Sequence, residues 1–187
     1  MLSVKEINEQ TWNDFEKLFA KHNGVCGGCW CMYHRLRSSQ FQRMTKEERR
    51  LAHYNLTLQG KSAGLIVYDD ELPVAWCQFG KAEYFPQYDY GRAYSKLEIP
   101  EEFKPKWRIS CLFVDKHRRK EKLSSFALAA AIKLIKQQGG GVVEAFPLDV
   151  NDTGKPSYTG AVRMYSKHGF QEVSRLGKNT VFMRAIL

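Results

Sequence analysis

The chain has 187 residues, enough for one well-buried domain and short for two, with a 43% hydrophobic and 26% charged composition ordinary for a globular protein. No apolar run approaches the roughly 20 residues a membrane helix needs, and the start, MLSVKEINEQTW, lacks the apolar core of a secretion signal, so a cytoplasmic location is expected. A formal net charge of +9 suits an anionic ligand and equally an RNA or acidic protein partner, and the odd count of 5 cysteines reads as reduced thiols.

In chain order, LSVKEI reads as a short strand. Thr11-Trp12-Asn13-Asp14 has the form of a capping box opening a helix with Phe15, Leu18 and Phe19 on one face, stopped by Asn23-Gly24. The next segment, GVCGGCWCMYHR, places Cys26, Cys29, Cys31 and His34 at C-x2-C-x-C-x2-H, enough donors for a tetrahedral zinc. Against a metal stand the lack of a distant second ligand pair and Trp30 between two cysteines, which suits a packed loop. A second capping box, Thr45 to Glu48, opens a helix carrying Leu51, Ala52, Leu56 and Leu58 and ended by Gly60.

From Ala63 the pattern turns extended. AGLIVY and PVAWCQF, separated by Asp69-Asp70-Glu71, predict a β-hairpin with Val74, Trp76 and Gln78 on one face and Ala75, Cys77 and Phe79 on the other. The long connection after it holds Tyr84, Phe85, Tyr88, Tyr90 and Tyr94 among Lys81, Arg92 and Lys96. These rings either stack on nucleic-acid bases or pack over the chain's own sheet.

The stretch Trp107 to Lys136 carries the chemistry. WRISCLFV predicts a buried strand, the following turn concentrates Arg118, Arg119, Lys120 and Lys122, and a helix with alanine and leucine at helical spacing follows. Such a corner aims the helix's unpaired N–H groups beyond the strand end, and the added cations favour a ligand with more than one phosphate. Gly139-Gly140-Gly141 ends the helix and VVEAF restarts a strand, which makes a right-handed crossover with the two strands parallel. Ligands of such sheets bind beyond the carboxyl ends of the strands. FPLDVNDTGKPSYTG is a loop, GAVRMYSKHGF a short helix stopped by Gly169, and QEVSRL with TVFMRAIL an antiparallel pair turning at Gly177-Lys178-Asn179. Glu144, a carboxylate in an otherwise apolar strand, is the first candidate proton acceptor, ahead of Glu83 and Glu98. Cys111 in a buried strand and His117 in the turn read as structural.

Three of these pieces together resemble the GNAT superfamily of acyl-CoA-dependent N-acetyltransferases: the strand end Leu112-Phe113-Val114, the turn Arg119 to Ser124, and Ala161, Tyr165, Gly169 and Phe170 spaced as Ala-x-x-x-Tyr-x-x-x-Gly-Phe. The resemblance implies an α/β fold with a mixed, mostly antiparallel sheet flanked by helices and a central βαβ parallel pair splayed at the cofactor site. It implies one domain over 1–187, with the acceptor side in 1–60 and the sheet and cofactor core in 63–187. Acetyl-CoA would be held by Leu112, Phe113, Val114, Arg119, Lys120, Lys122, Leu123 and Ser124, and Tyr165 would be the general acid for the leaving thiolate. The Cys-Trp-Cys-Met stretch would be a substrate-side loop. One departure stands out: the glycine at the centre of the family's turn is Lys122 here, which puts cofactor affinity in question because glycine lets the backbone approach a pyrophosphate.

The expected activity is transfer of an acetyl group to a primary amine, on a small molecule or a peptide, by direct attack. Neither nucleic acid nor membrane is expected as a partner, and a homodimer is compatible with the sequence. The alternative is a basic binding module, for RNA or an acidic protein, on the same scaffold without turnover.

Overall fold

The computed structural model describes residues 1–149 and 158–187. Most of the expected loop after the second parallel strand, residues 150–157, lies outside the described residues. The strands are β1 (Leu2–Glu6), β2 (Leu65–Asp69), β3 (Leu72–Lys81), β4 (Trp107–Val114), β5 (Val142–Ala145), β6 (Gln171–Leu176) and β7 (Thr180–Ile186). They form one seven-stranded sheet in the order β1-β2-β3-β4-β5-β7-β6. Every pairing is antiparallel except that of β4 with β5. The helices are α1 (Trp12–Ala20), α2 (Ser38–Arg43), α3 (Lys46–Leu58), α4 (Leu123–Gln137) and α5 (Val162–Ser166). The mixed α/β architecture expected from the resemblance is the one the chain adopts.

Period-two alternation sends neighbouring side chains to two separate cores. Leu65, Val67, Ala75, Cys77, Phe79, Ile109 and Leu112 pack beneath Leu123, Ala127, Leu128, Ala131 and Ile135 of α4. Ile66, Tyr68, Trp76, Cys111 and Phe113 pack on the other face with Phe15, Phe19, Val25 and Trp30 of α1 and the loop after it. Val74 breaks the expected alternation. The register slips between Val67 and Tyr68, and the unpaired residue turns to the α4 side.

Two helix readings need correction. Thr11 does not cap α1 through its side chain; its hydroxyl donates to the Glu6 carbonyl at 2.9 Å. The capping box at Thr45 does form, with Glu48 accepting from the Thr45 N–H at 2.6 Å, but the helix it opens buries its polar face. Arg49, His53 and Thr57 are the buried residues of α3, while Leu51 and Leu58 are both 49% exposed. The reversal has a physical cause. The Arg49 guanidinium donates to the carbonyls of Gly27, Gly28, Phe41 and Met44, and the His53 ring lies between the Trp30 carbonyl at 2.9 Å and the Ser62 hydroxyl at 2.7 Å. A fully satisfied polar face can be buried without a desolvation penalty left over. Through it α3 holds the cysteine-rich loop in place.

The aromatic connection between β3 and β4 packs on the protein. Tyr88 is stacked on Phe146 at 3.9 Å on one side and His34 at 4.4 Å on the other, and Phe85 is fully buried. Those faces are closed to a base.

Candidate active site

The parallel contact is short. β4 meets β5 only from Trp107 to Ile109, yet β4 runs on to Val114, so the two strands part company halfway along β4. Farther along β4, the Tyr158 carbonyl accepts from the Leu112 N–H at 2.6 Å.

A cleft of about 450 Å³ opens at this parting, between the end of β4, the turn after it, the start of α4 and the segment leading into α5. Leu112, Phe113, Val114, Arg119, Lys120, Lys122, Leu123 and Ser124, the residues expected at the cofactor, all line it, together with Arg118, Tyr158, Gly160 and Arg163. The N-terminus of α4 has no side-chain cap, so its first amides keep the partial positive charge that favours an anion. Arg118 is committed to Asp69 and Glu121, each at 2.8 Å. Arg119, Lys120, Lys122 and Arg163 have no carboxylate partner among the described residues, which leaves their charge for a ligand.

Lys122, standing where the family has glycine, keeps a glycine-like backbone, at φ +61 and ψ 13. The conformation of the turn is thus retained at the steric cost a β-carbon brings to the left-handed region. Asp115 anchors the turn from behind: it is 4% exposed and accepts from Lys21 at 2.6 Å and from the His117 N–H at 3.0 Å. Burial pushes its carboxyl up, and the bonds from Lys21 and the His117 amide outweigh that and hold it below the usual range.

Beside the cleft lies a second cavity of about 540 Å³. Its wall combines the cysteine-rich loop, with Cys26, Cys29, Cys31, Tyr33 and His34, with the middle of β4 at Ser110 and Cys111 and with Phe146 and Leu148 beyond β5. Tyr158 lines both cavities. Cys31 Sγ and Cys111 Sγ are 3.2 Å apart. The Cys29 thiol is drawn below its ordinary value by a hydrogen bond from Cys31, and burial pushes Cys31 well up. Burial also lowers His34 to about 3, so its ring is neutral. Among the described residues no group of three or more His, Cys, Asp and Glu side chains is arranged to hold a metal ion.

The two expected catalytic residues stand elsewhere. Glu144 lines neither cavity. It is fully buried, accepts from the Tyr94 hydroxyl at 2.8 Å and from Arg108 Nε at 3.1 Å, and has both oxygens occupied. Burial raises its pKa while Arg108 pulls against it. The carboxylate is thus held by the protein's own donors, away from both cavities. Tyr165 is also fully buried, and its hydroxyl donates to the Thr159 carbonyl at 3.0 Å. It lies directly behind the cleft wall: a β-carbon on Gly160 would come within 2.9 Å of the Tyr165 ring and 3.1 Å of Leu112 Cδ1. Glycine at 160, at φ +82, is what lets strand end, loop and α5 close together.

Sequence reasoning missed Tyr158, Gly160 and Arg163 as lining residues. The available signal was the Thr-Gly pair immediately before the Ala161 stretch.

Comparison with known proteins agrees with this geometry. Residues 30–170 match the family model described as acetyltransferase (GNAT) family. No curated protein matches the chain in sequence. Among solved structures, an N-acetyltransferase from Staphylococcus aureus Mu50 superposes with a TM-score of 0.57 at 12% identity, over 100% of this chain and 98% of that one. The PaiA N-acetyltransferase from Thermoplasma acidophilum, solved with coenzyme A, gives 0.55 at 11% identity over 100% and 99%. The yncA structure from Salmonella typhimurium, solved with its cofactor acetyl-CoA, gives 0.56 at 12% identity over 100% and 94%. At these identities the structures speak to fold alone, and the family match spans most of the sequence: the chain belongs to the GNAT acetyltransferase family.

Proposed function

We propose that the protein transfers an acetyl group from acetyl-CoA to a primary amine, with the pyrophosphate end of the cofactor in the 450 Å³ cleft and the amine in the 540 Å³ cavity. The observation that carries this reading is the junction at Tyr158, which lines both spaces where β4 parts from β5. Cofactor chemistry fits the residues present. The uncapped amides of α4 and the cations Arg119, Lys120, Lys122 and Arg163 suit a diphosphate, and the apolar strand end Leu112-Phe113-Val114 suits a pantetheine arm. When bound, the cofactor supplies an activated acyl carbon and a thiolate leaving group.

The chain's own part is to bind, to orient and to supply a proton. Tyr165 remains the proposed proton donor to the thiolate, reaching the cleft as the Tyr158–Gly160 segment draws back from the Leu112 N–H. Tyr158, the hydroxyl that already borders both cavities, is the competing donor. Turnover by Tyr165→Phe and Tyr158→Phe at saturating acetyl-CoA decides between them, because only the donor's loss lowers kcat while leaving cofactor affinity in place. The whole reading rests on one measurement. Isothermal titration with acetyl-CoA should show micromolar binding, and no heat at millimolar cofactor would leave the basic-module alternative in its place.

A single domain and a cytoplasmic location belong to the same reading. All five cysteines are free thiols, as a reducing compartment keeps them, and no helix among the described residues is long and apolar enough to cross a membrane.

A further inference from the structure

The cavity beside the cleft carries information about charge. No Asp or Glu is among the described residues that line it, and Arg49 is the formal charge in its wall. Two of the polar side chains that reach it are already used by the protein. Arg49 donates to four backbone carbonyls, and Gln78 donates to the Cys31 carbonyl and accepts from the Ser110 hydroxyl, both at 2.9 Å. Much of the rest of the wall is aromatic, with Tyr33, Phe41, Phe146 and the neutral His34.

An alkylammonium entering such a space would give up its water with no described carboxylate to receive it and a guanidinium nearby. A planar, uncharged amine would meet ring faces and edges and lose little. Nor does a carboxylate among the described lining residues stand ready to take a proton from an ammonium, and Glu144 is enclosed by Tyr94 and Arg108. We propose that the acceptor is an aromatic primary amine of the aniline class, which carries no proton on nitrogen beyond the neutral NH2 at pH 7. This deepens the acetyl-transfer reading and rests on it. In the reaction the amine nitrogen forms a bond to the acetyl carbon as the carbon–sulfur bond breaks, and the proton lost by nitrogen ends on the departing thiolate. No external acid, base or oxidant is consumed.

The test pairs binding with turnover. Saturation-transfer NMR with 4-methoxyaniline should show binding to the protein without cofactor, lost in Leu148→Trp, which fills the cavity. Free-thiol release from acetyl-CoA should favour 4-methoxyaniline over spermidine, kanamycin and a lysine-containing hexapeptide by about 100-fold or more in kcat/KM, a difference of about 2.7 kcal/mol. The rate with the aniline should stay flat from pH 6.5 to 9, whereas an alkylamine with a pKa of about 10 would gain about tenfold per pH unit. Phe41→Leu serves as a milder second variant should Leu148→Trp fail to fold, and should raise the KM for the aniline with acetyl-CoA affinity unchanged. Micromolar acetyl-CoA binding with preferred acetylation of spermidine, kanamycin or the peptide, or with no aniline turnover, overturns the acceptor assignment alone. Absence of acetyl-CoA binding overturns the acetyl-transfer reading and this inference with it.

Discussion

Arg108 and Glu144 face each other across the parallel strand pair of the sheet: they are register partners on β4 and β5, with Arg108 Nε 3.1 Å from Glu144 Oε2. The pair is 2% and 0% exposed. Arg108 also donates to the Phe85 carbonyl at 3.0 Å and pairs with Asp89, and Tyr94 donates to Glu144. The network therefore pins the aromatic connection to the sheet just before the strands part. Removing one member of a buried pair strands the other, at a cost of about 3–5 kcal/mol. Glu144→Gln should accordingly shift the urea midpoint sharply downward and leave acetyl-CoA affinity of the folded protein unchanged. An unshifted midpoint with a collapsed kcat would return Glu144 to the role of base.

Lys122 makes a second prediction, because its side chain and its backbone argue in opposite directions. At φ +61 a β-carbon costs roughly 1–2 kcal/mol, part of which glycine would give back in unfolded-chain entropy. Lys122→Gly should raise stability by about 0.5–1 kcal/mol, read as a higher urea midpoint. It should also flatten the salt dependence of acetyl-CoA binding, since one cation leaves the cleft. A lower midpoint would mean that the lysine side chain makes contacts worth more than the strain.

Arg119 is exposed at the cleft mouth and unpaired by any described carboxylate. Arg119→Ala should weaken acetyl-CoA binding by about tenfold at low salt, equivalent to about 1.4 kcal/mol, with kcat nearly unchanged at saturation. Near 1 M salt the difference should shrink, because exposed charges are screened within about 3 Å there. Equal loss at both salt concentrations would point to a geometric role instead.

What could be seen in the residues alone was local. The strand ending at Val114, the basic turn and the apolar stripe of α4 lie within one continuous stretch, and each is set by period or by charge density. All the cleft residues expected there line one space. Glu144 shows where such reading stops. An acid in an apolar run does signal burial, but its purpose was set by Tyr94, fifty positions away in the chain, and no periodicity encodes that meeting. The buried face of α3 was hidden for the same reason: Arg49 and His53 look like solvent residues until the carbonyls of Gly27, Gly28 and Trp30 are brought to them.

His53 turns that hidden face into a pH dependence. Its ring is fully buried, with Nδ1 2.9 Å from the Trp30 carbonyl and Nε2 2.7 Å from the Ser62 hydroxyl. A neutral ring can donate through Nδ1 and accept through Nε2, whereas a protonated ring would confront Ser62 with a second N–H. Burial, with the positive charge of Arg35 adding to it, lowers the folded pKa to about 3. In the unfolded chain the ring titrates near 6.5. The unfolded state therefore binds more protons between those values, and stability falls as pH drops below about 6.5, by about 1.4 kcal/mol per pH unit for this one group, until the folded pKa is reached. Above pH 6.5 its contribution is level. Urea unfolding of the wild type from pH 8 to pH 5 should show that decline, and His53→Gln, less stable at pH 8, should show a slope smaller by about one proton. A slope unaltered by the substitution would mean that His53 binds its proton equally well in the folded and unfolded states.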